Sequence, residues 1–112
     1  MSEIIDLANQ LGRAIATSPQ AQKLREARKG LSSQTDLVKL LGQYHEQSDK
    51  MAALEADNKV IEVEDKHKLQ DMHDKLAASE TFKVFTSAQM DYVDLMRQVN
   101  SAIRKQLAET EQ

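Results

Sequence analysis

The chain has 112 residues, no cysteine or tryptophan, 4% aromatic side chains, 29% charged side chains of both signs and a formal net charge of −3. The missing cysteine excludes disulfides, thiolate metal sites and a cysteine nucleophile, and it gives no sign of an oxidising compartment. The mild negative charge is that of a solvated surface, not the strongly basic footprint expected of a nucleic-acid binder.

The 40% hydrophobic fraction is mostly Ala, Leu, Val, Ile and Met, so little bulk is available to fill a globular centre. Because small chains bury a lower fraction of their surface, a helical chain with narrow apolar stripes is expected to finish its core by pairing. No apolar run is long enough for a signal peptide or a membrane span, and the expectation is an intracellular, soluble protein.

Five helices are read in chain order, at about 3–16, 19–30, 33–56, 62–78 and 80–109, forming one all-α domain over 1–112. In the first, Ile4, Leu7, Ala8, Leu11, Ala14 and Ile15 recur at three and four, with Ser2 as N-cap. In "TSPQAQ" Ser18 reads as an N-cap and Pro19 as the first helical residue, where a missing N–H costs nothing. Ala21, Leu24, Ala27 and Leu31 form the apolar line of that second helix. Gly30 reads as its stop, and Ser32 and Ser33 as the next cap.

The third helix carries Leu37, Leu41, Tyr44, Ser48 and Met51 at near-heptad spacing over about two and a half heptads. "ADNK" at 56–59 is the most polar break and marks a loop near 57–61. "KVIEVE" is the one stretch approaching strand alternation, too short and without a partner. Leu69, Met72 and Leu76 resume helical spacing in the fourth helix. Ser79 caps the fifth, where Phe82, Phe85, Ala88, Tyr92, Leu95, Met96, Val99, Ile103 and Leu107 run as one stripe. The fold class is therefore an all-α hairpin or bundle with a long C-terminal helix, completed by oligomerisation.

Catalytic patterns are weak. Glu64 and His67 form the Glu-x-x-His spacing of di-iron bundles, but helical geometry turns them away from the Leu69–Met72–Leu76 line, and no second such motif exists. His45, His67 and His73 do not pair at i, i+4. No Gly-x-Ser-x-Gly elbow is present, and three glycines leave no phosphate-cradling loop. No catalytic residue, metal or cofactor is expected. Lys23, Arg25, Arg28 and Lys29 concentrate positive charge on the second helix, a candidate contact face for RNA or an acidic partner. Glu26 interrupts it, and no aromatic is interleaved for base stacking.

"AIATSPQAQKLREA" and "LAASETFKVFTSA" share Ala-x-Ser followed by apolar residues at three-residue steps, a pattern that any capped amphipathic helix can produce. Taken with the seam "LVKLLGQYHEQSDKMAALE" and the closing "LQDMHDKLAASETFKVFTSAQMDYVDLMRQVNSAIRKQL", these stretches resemble the YlbF/YmcA family of small helical bacterial proteins, including its YheA group, over residues 3–108. The resemblance implies an all-α fold that associates through long helices. It also implies a cytoplasmic adaptor or regulator, as in members whose complexes influence competence, sporulation and biofilm formation, partly through RNA processing. Members with cysteines in extended tails are linked to iron–sulfur clusters; this chain has no cysteine to hold one.

The leading expectation is a non-enzymatic homodimer or higher oligomer that presents helix surfaces to a protein partner in a regulatory complex, away from any membrane. Leu37, Leu41, Tyr44, Met51, Phe82, Phe85, Tyr92, Met96 and Val99 are its expected interface residues. The alternative is an RNA-associated accessory protein using the second-helix basic face.

Overall fold

The computed structural model describes residues 2–110. The ends of the expected 1–112 domain, Met1 and residues 111–112, lie outside the described residues. Five helices follow in order: α1 (Glu3–Ala16), α2 (Pro19–Ser32), α3 (Thr35–Ala56), α4 (Val63–Ala78) and α5 (Glu80–Thr110). Among the described residues there is no strand, and "KVIEVE" divides between the α3–α4 loop and the first turn of α4.

Local chemistry fixes the corners. Ser18 Oγ accepts the Ala21 N–H at 3.2 Å, which is the N-cap bond to the third helical residue, and donates to the Ile15 carbonyl at 2.6 Å. Ser79 Oγ accepts the Phe82 N–H in the same relation, also at 3.2 Å. The two serines are thus equivalent helix starts. Ser2 occupies the cap position of α1 with extended backbone but makes no side-chain cap bond.

The α2–α3 junction differs from expectation. The helix runs through Gly30 to Ser32, and Gln34 is the N-cap residue of α3. Ser32 Oγ donates to the Lys29 carbonyl and Ser33 Oγ to the Gly30 carbonyl, so both hydroxyls serve the end of α2 and neither starts α3. The Lys29 carbonyl also accepts the Ser33 N–H at 3.1 Å, and the Ser33 hydroxyl reaches the Gly30 carbonyl without a left-handed glycine.

The α3–α4 loop closes by backbone geometry. Asn58 has φ of 57°, its N–H reaches the Glu55 carbonyl at 3.1 Å, and the Lys59 N–H reaches the Leu54 carbonyl at 2.9 Å. This is a Schellman cap with asparagine in the left-handed position usually held by glycine.

The chain divides into two compact units, residues 29–84 and residues 1–28 with 85–112. In the first, α3 packs on α4, with Leu37 and Leu76 buried and Leu40, Leu41, Tyr44, Met51, Leu54, Leu69 and Met72 half-buried along the contact. The predicted Leu69–Met72–Leu76 line is the inner face of α4. In the second, Leu24 and Ala27 of α2 and Ala88 of α5 form the buried cluster, with Phe85 and Tyr92 packed against it.

Candidate interaction surface

In the 29–84 unit, the seam contains a polar residue that apolar periodicity passes over. Gln47 is buried on α3, and its Nε2 donates to the backbone carbonyl of Asp65 at 3.0 Å and to Asp65 Oδ1 at 3.3 Å. Lys50 Nζ joins the same oxygen at 3.2 Å. The Gln47 hydrogen bond and then that of Lys50 hold the Asp65 carboxyl below its ordinary value of 3.8, outweighing its partial burial. Asp65 lies in the first turn of α4, where negative charge also meets the positive end of the helix. This constellation clamps the start of α4 to the middle of α3 and engages the Asp65 carboxylate. At the other end of the unit, Gln34 Nε2 donates to Thr81 Oγ1 at 2.7 Å, tying the start of α3 to the first turn of α5.

Glu64, His67 and His73 are exposed. The His73 ring stands 6.4 Å from the Tyr44 ring, centroid to centroid, and the His45 ring 6.1 Å from it. Among the described residues no three His, Asp or Glu side chains gather in a way that could hold a metal ion.

The unit formed by 1–28 and 85–112 is different in kind. Every predicted apolar position of α1 falls on one side of the helix, yet α1 buries none of its residues. Exposure rises along the helix with distance from the corner: Ile15 is half-buried, Leu11 is 39% exposed, Leu7 56% and Ile4 75%. The α5 stripe repeats the gradient, with Met96 and Val99 half-buried, Ile103 46% exposed and Leu107 60%. An open groove of about 400 Å³ lies at the corner. Gly12, Ile15 and Ala16 of α1 line it, with Ala21, Leu24, Arg25 and Arg28 of α2 and Tyr92 and Met96 of α5.

The predicted basic face separates here into unlike parts. Arg25 donates from Nη2 to the Ala16 carbonyl at 2.8 Å, and Gln22 Nε2 donates to the Thr17 carbonyl at 2.8 Å. These side chains satisfy the orphan acceptors at the end of α1, where a cation also meets the negative pole of the helix. Arg28 lines the groove: at about 100° per residue it projects between buried Ala21 and Leu24. At the same angular step Lys23 lies on the far side of α2, whereas Lys29 falls about 40° from Arg25 on the same helix. Lys23 therefore stands apart from the other three cations.

Of the expected interface residues, Leu37 is core within its own unit. Leu41, Tyr44, Met51 and Phe82 are half-buried in the 29–84 unit, and Phe85, Tyr92, Met96 and Val99 are half-buried in the other. More exposed than these are Ile4, Leu7, Leu11, Ile103 and Leu107 in the second unit, together with scattered residues such as Val60, Val63 and Met90. The signal for α1 was present in its regular spacing. What spacing leaves open is whether another part of the same chain covers it.

The family model described as "Control of competence regulator ComK, YlbF/YmcA" matches residues 4–108. UPF0342 proteins of Streptococcus pyogenes serotype M5 (strain Manfredo) and serotype M49 (strain NZ131) are each 25% identical over 87 residues, covering 78% of this chain and 77% of theirs. A chain in the crystal structure of Bacillus subtilis RicA in complex with RicF matches at a TM-score of 0.81 and 16% identity, covering 97% of this chain and 96% of that one. A DUF964 protein of unknown function from Bacillus stearothermophilus matches at 0.74 and 16%, covering 96% and 95%. At such identity the structural likenesses establish the fold alone.

Proposed function

The chain belongs to the YlbF/YmcA family, and from that membership and its bare helix faces we propose that it is a non-enzymatic regulatory adaptor that works in the cytoplasm. It acts by seating apolar helix surfaces against other protein chains, itself included. One observation carries this reading: α1 is a 14-residue amphipathic helix that buries none of its residues. Apolar area removed from water contributes about 25 cal/mol per Å² before the costs of association, so a face of this kind favours a partner over solvent. The helix-in-groove mode, with anchors at i, i+3 and i+7, fits Ile4, Leu7 and Leu11.

The family's description in terms of competence control, and the complex that RicA makes with RicF, support a regulatory complex as the setting. The half-buried Tyr92 and Met96 of α5 line the groove beside the end of α1.

The test is capture of the tagged full chain from its host beside a Leu7→Lys, Leu11→Lys double variant. The reading expects a defined protein held by the wild type and lost by the variant, with helical circular dichroism unchanged. An identical set of captured proteins from both would refute it.

A further inference from the structure

The groove between the end of α1, α2 and the middle of α5 is an acceptor in search of a helix. Its floor is apolar, Gly12 and two alanines keep its walls low, and its charged lining is Arg25 and Arg28 with no acid. Nothing within 4 Å would meet a Cβ at Gly12, so a helix can approach closely there. Arg25 is already engaged with the Ala16 carbonyl, whereas Arg28 projects into the groove. The occupant this chemistry calls for is an amphipathic helix with apolar anchors and acidic flanks.

The chain itself contains such a helix. Residues 3–11, "EIIDLANQL", carry Glu3 and Asp6, no base, and the exposed anchors Ile4, Leu7 and Leu11. A straight helix cannot fold back into a groove lined by its own C-terminal half, since Ile4 stands about 16 Å along the axis from Ile15 at about 1.5 Å per residue. The segment must go to another molecule.

We propose that the N-terminal half of α1 from a second copy of this chain occupies the groove, its acids beside Arg28, in a reciprocal exchange that gives each copy one donor helix and one acceptor groove. A twofold axis makes both contacts equivalent and closes the assembly at a dimer. The pairing rests on the interaction reading above and names the partner and the seat that reading leaves open. Complementary charge across such a contact sets register and partner choice.

The experiment is sedimentation velocity on the full chain in the micromolar range. The wild type sediments as a dimer. E3K/D6K places lysines against Arg28 at both contacts, R28E places acids against glutamate at both, and each raises the dimer Kd by about tenfold or more. An equimolar mixture of the two variants restores opposite charges at both contacts and recovers dimerisation to within about twofold of wild type. Circular dichroism shows each variant as helical as the parent, since all three residues are exposed.

A wild-type monomer throughout the range, or a mixture no better than either variant alone, overturns the exchange. If the host protein is then still captured through α1, the α1 face serves another protein and the adaptor reading stands. If the charge-swapped mixture dimerises while no host protein is retained, the exchange stands and the adaptor reading falls.

Discussion

In residues 29–84, two helices meet along their apolar lines, bury Leu37 and Leu76, and satisfy the one buried polar side chain between them, Gln47. In residues 1–28 with 85–112, the buried set is Leu24 with small alanines, and the apolar lines of α1 and of α5 beyond Val99 are left in water. Both units are built from capped amphipathic helices of similar composition. The difference is one of connection: a short loop with a Schellman cap turns α3 back along α4, so each line finds the other at once. The corner at Ser18 and Pro19 starts α2 with a cap of its own, and α1 is left with its polar end satisfied and its apolar side bare. Hydrogen-bond satisfaction and apolar burial are thus separable, and where the first is met without the second the chain retains a surface for association.

That contrast can be broken first at its core. Leu76→Ala, at 2% exposure, is expected to destabilise the protein by about 3 kcal/mol, while Leu7→Ala shifts the unfolding of the monomer by no more than about 0.5 kcal/mol. Paired urea titrations at concentrations too low for dimerisation decide it, and equal effects would mean that the chain itself covers α1. Next in size, Gln47→Ala removes both Gln47 hydrogen bonds to Asp65, leaving that of Lys50, and is expected to cost about 1–2 kcal/mol, read in the same titrations. Ser18→Ala and Ser79→Ala should each cost about 1 kcal/mol, because their cap bonds are alike although they stand in different units. Matching midpoint shifts in thermal melts would show that cap strength does not depend on how well the unit behind it is packed.

The smallest effect is in pH. Because the Asp65 carboxyl is held below its ordinary value of 3.8, its contribution is fully present above that value and is lost as pH falls through the lowered one. The acid limb of a stability–pH curve should flatten in Asp65→Asn, and an unchanged limb would show that the clamp draws nothing from the charge.

Much of this architecture is local and so was legible. Ser18, Pro19 and Ser79 act within one turn of themselves, and the apolar spacing placed the inner faces of α3, α4 and the first half of α5. Legibility failed where a residue's use depends on something distant. Gln47 is a surface residue by type and becomes core because the Asp65 backbone waits opposite it. Arg25 counts as a basic patch by spacing and becomes a cap because α1 ends beside it. Ser33 was read forward to α3 when its hydroxyl turns back to Gly30, a choice that sequence order does not decide.

By itself the sequence determined five helices, the caps at Ser18 and Ser79 and which side of each helix is apolar, because those follow from periodicity and from bonds between near neighbours. Only the tertiary structure decided which of those sides is covered. Covering an apolar face takes a second element at the right distance and angle, and that depends on how every corner of the chain turns. The bare face of α1 is the consequence of that decision, and the place where another chain has room to finish the fold.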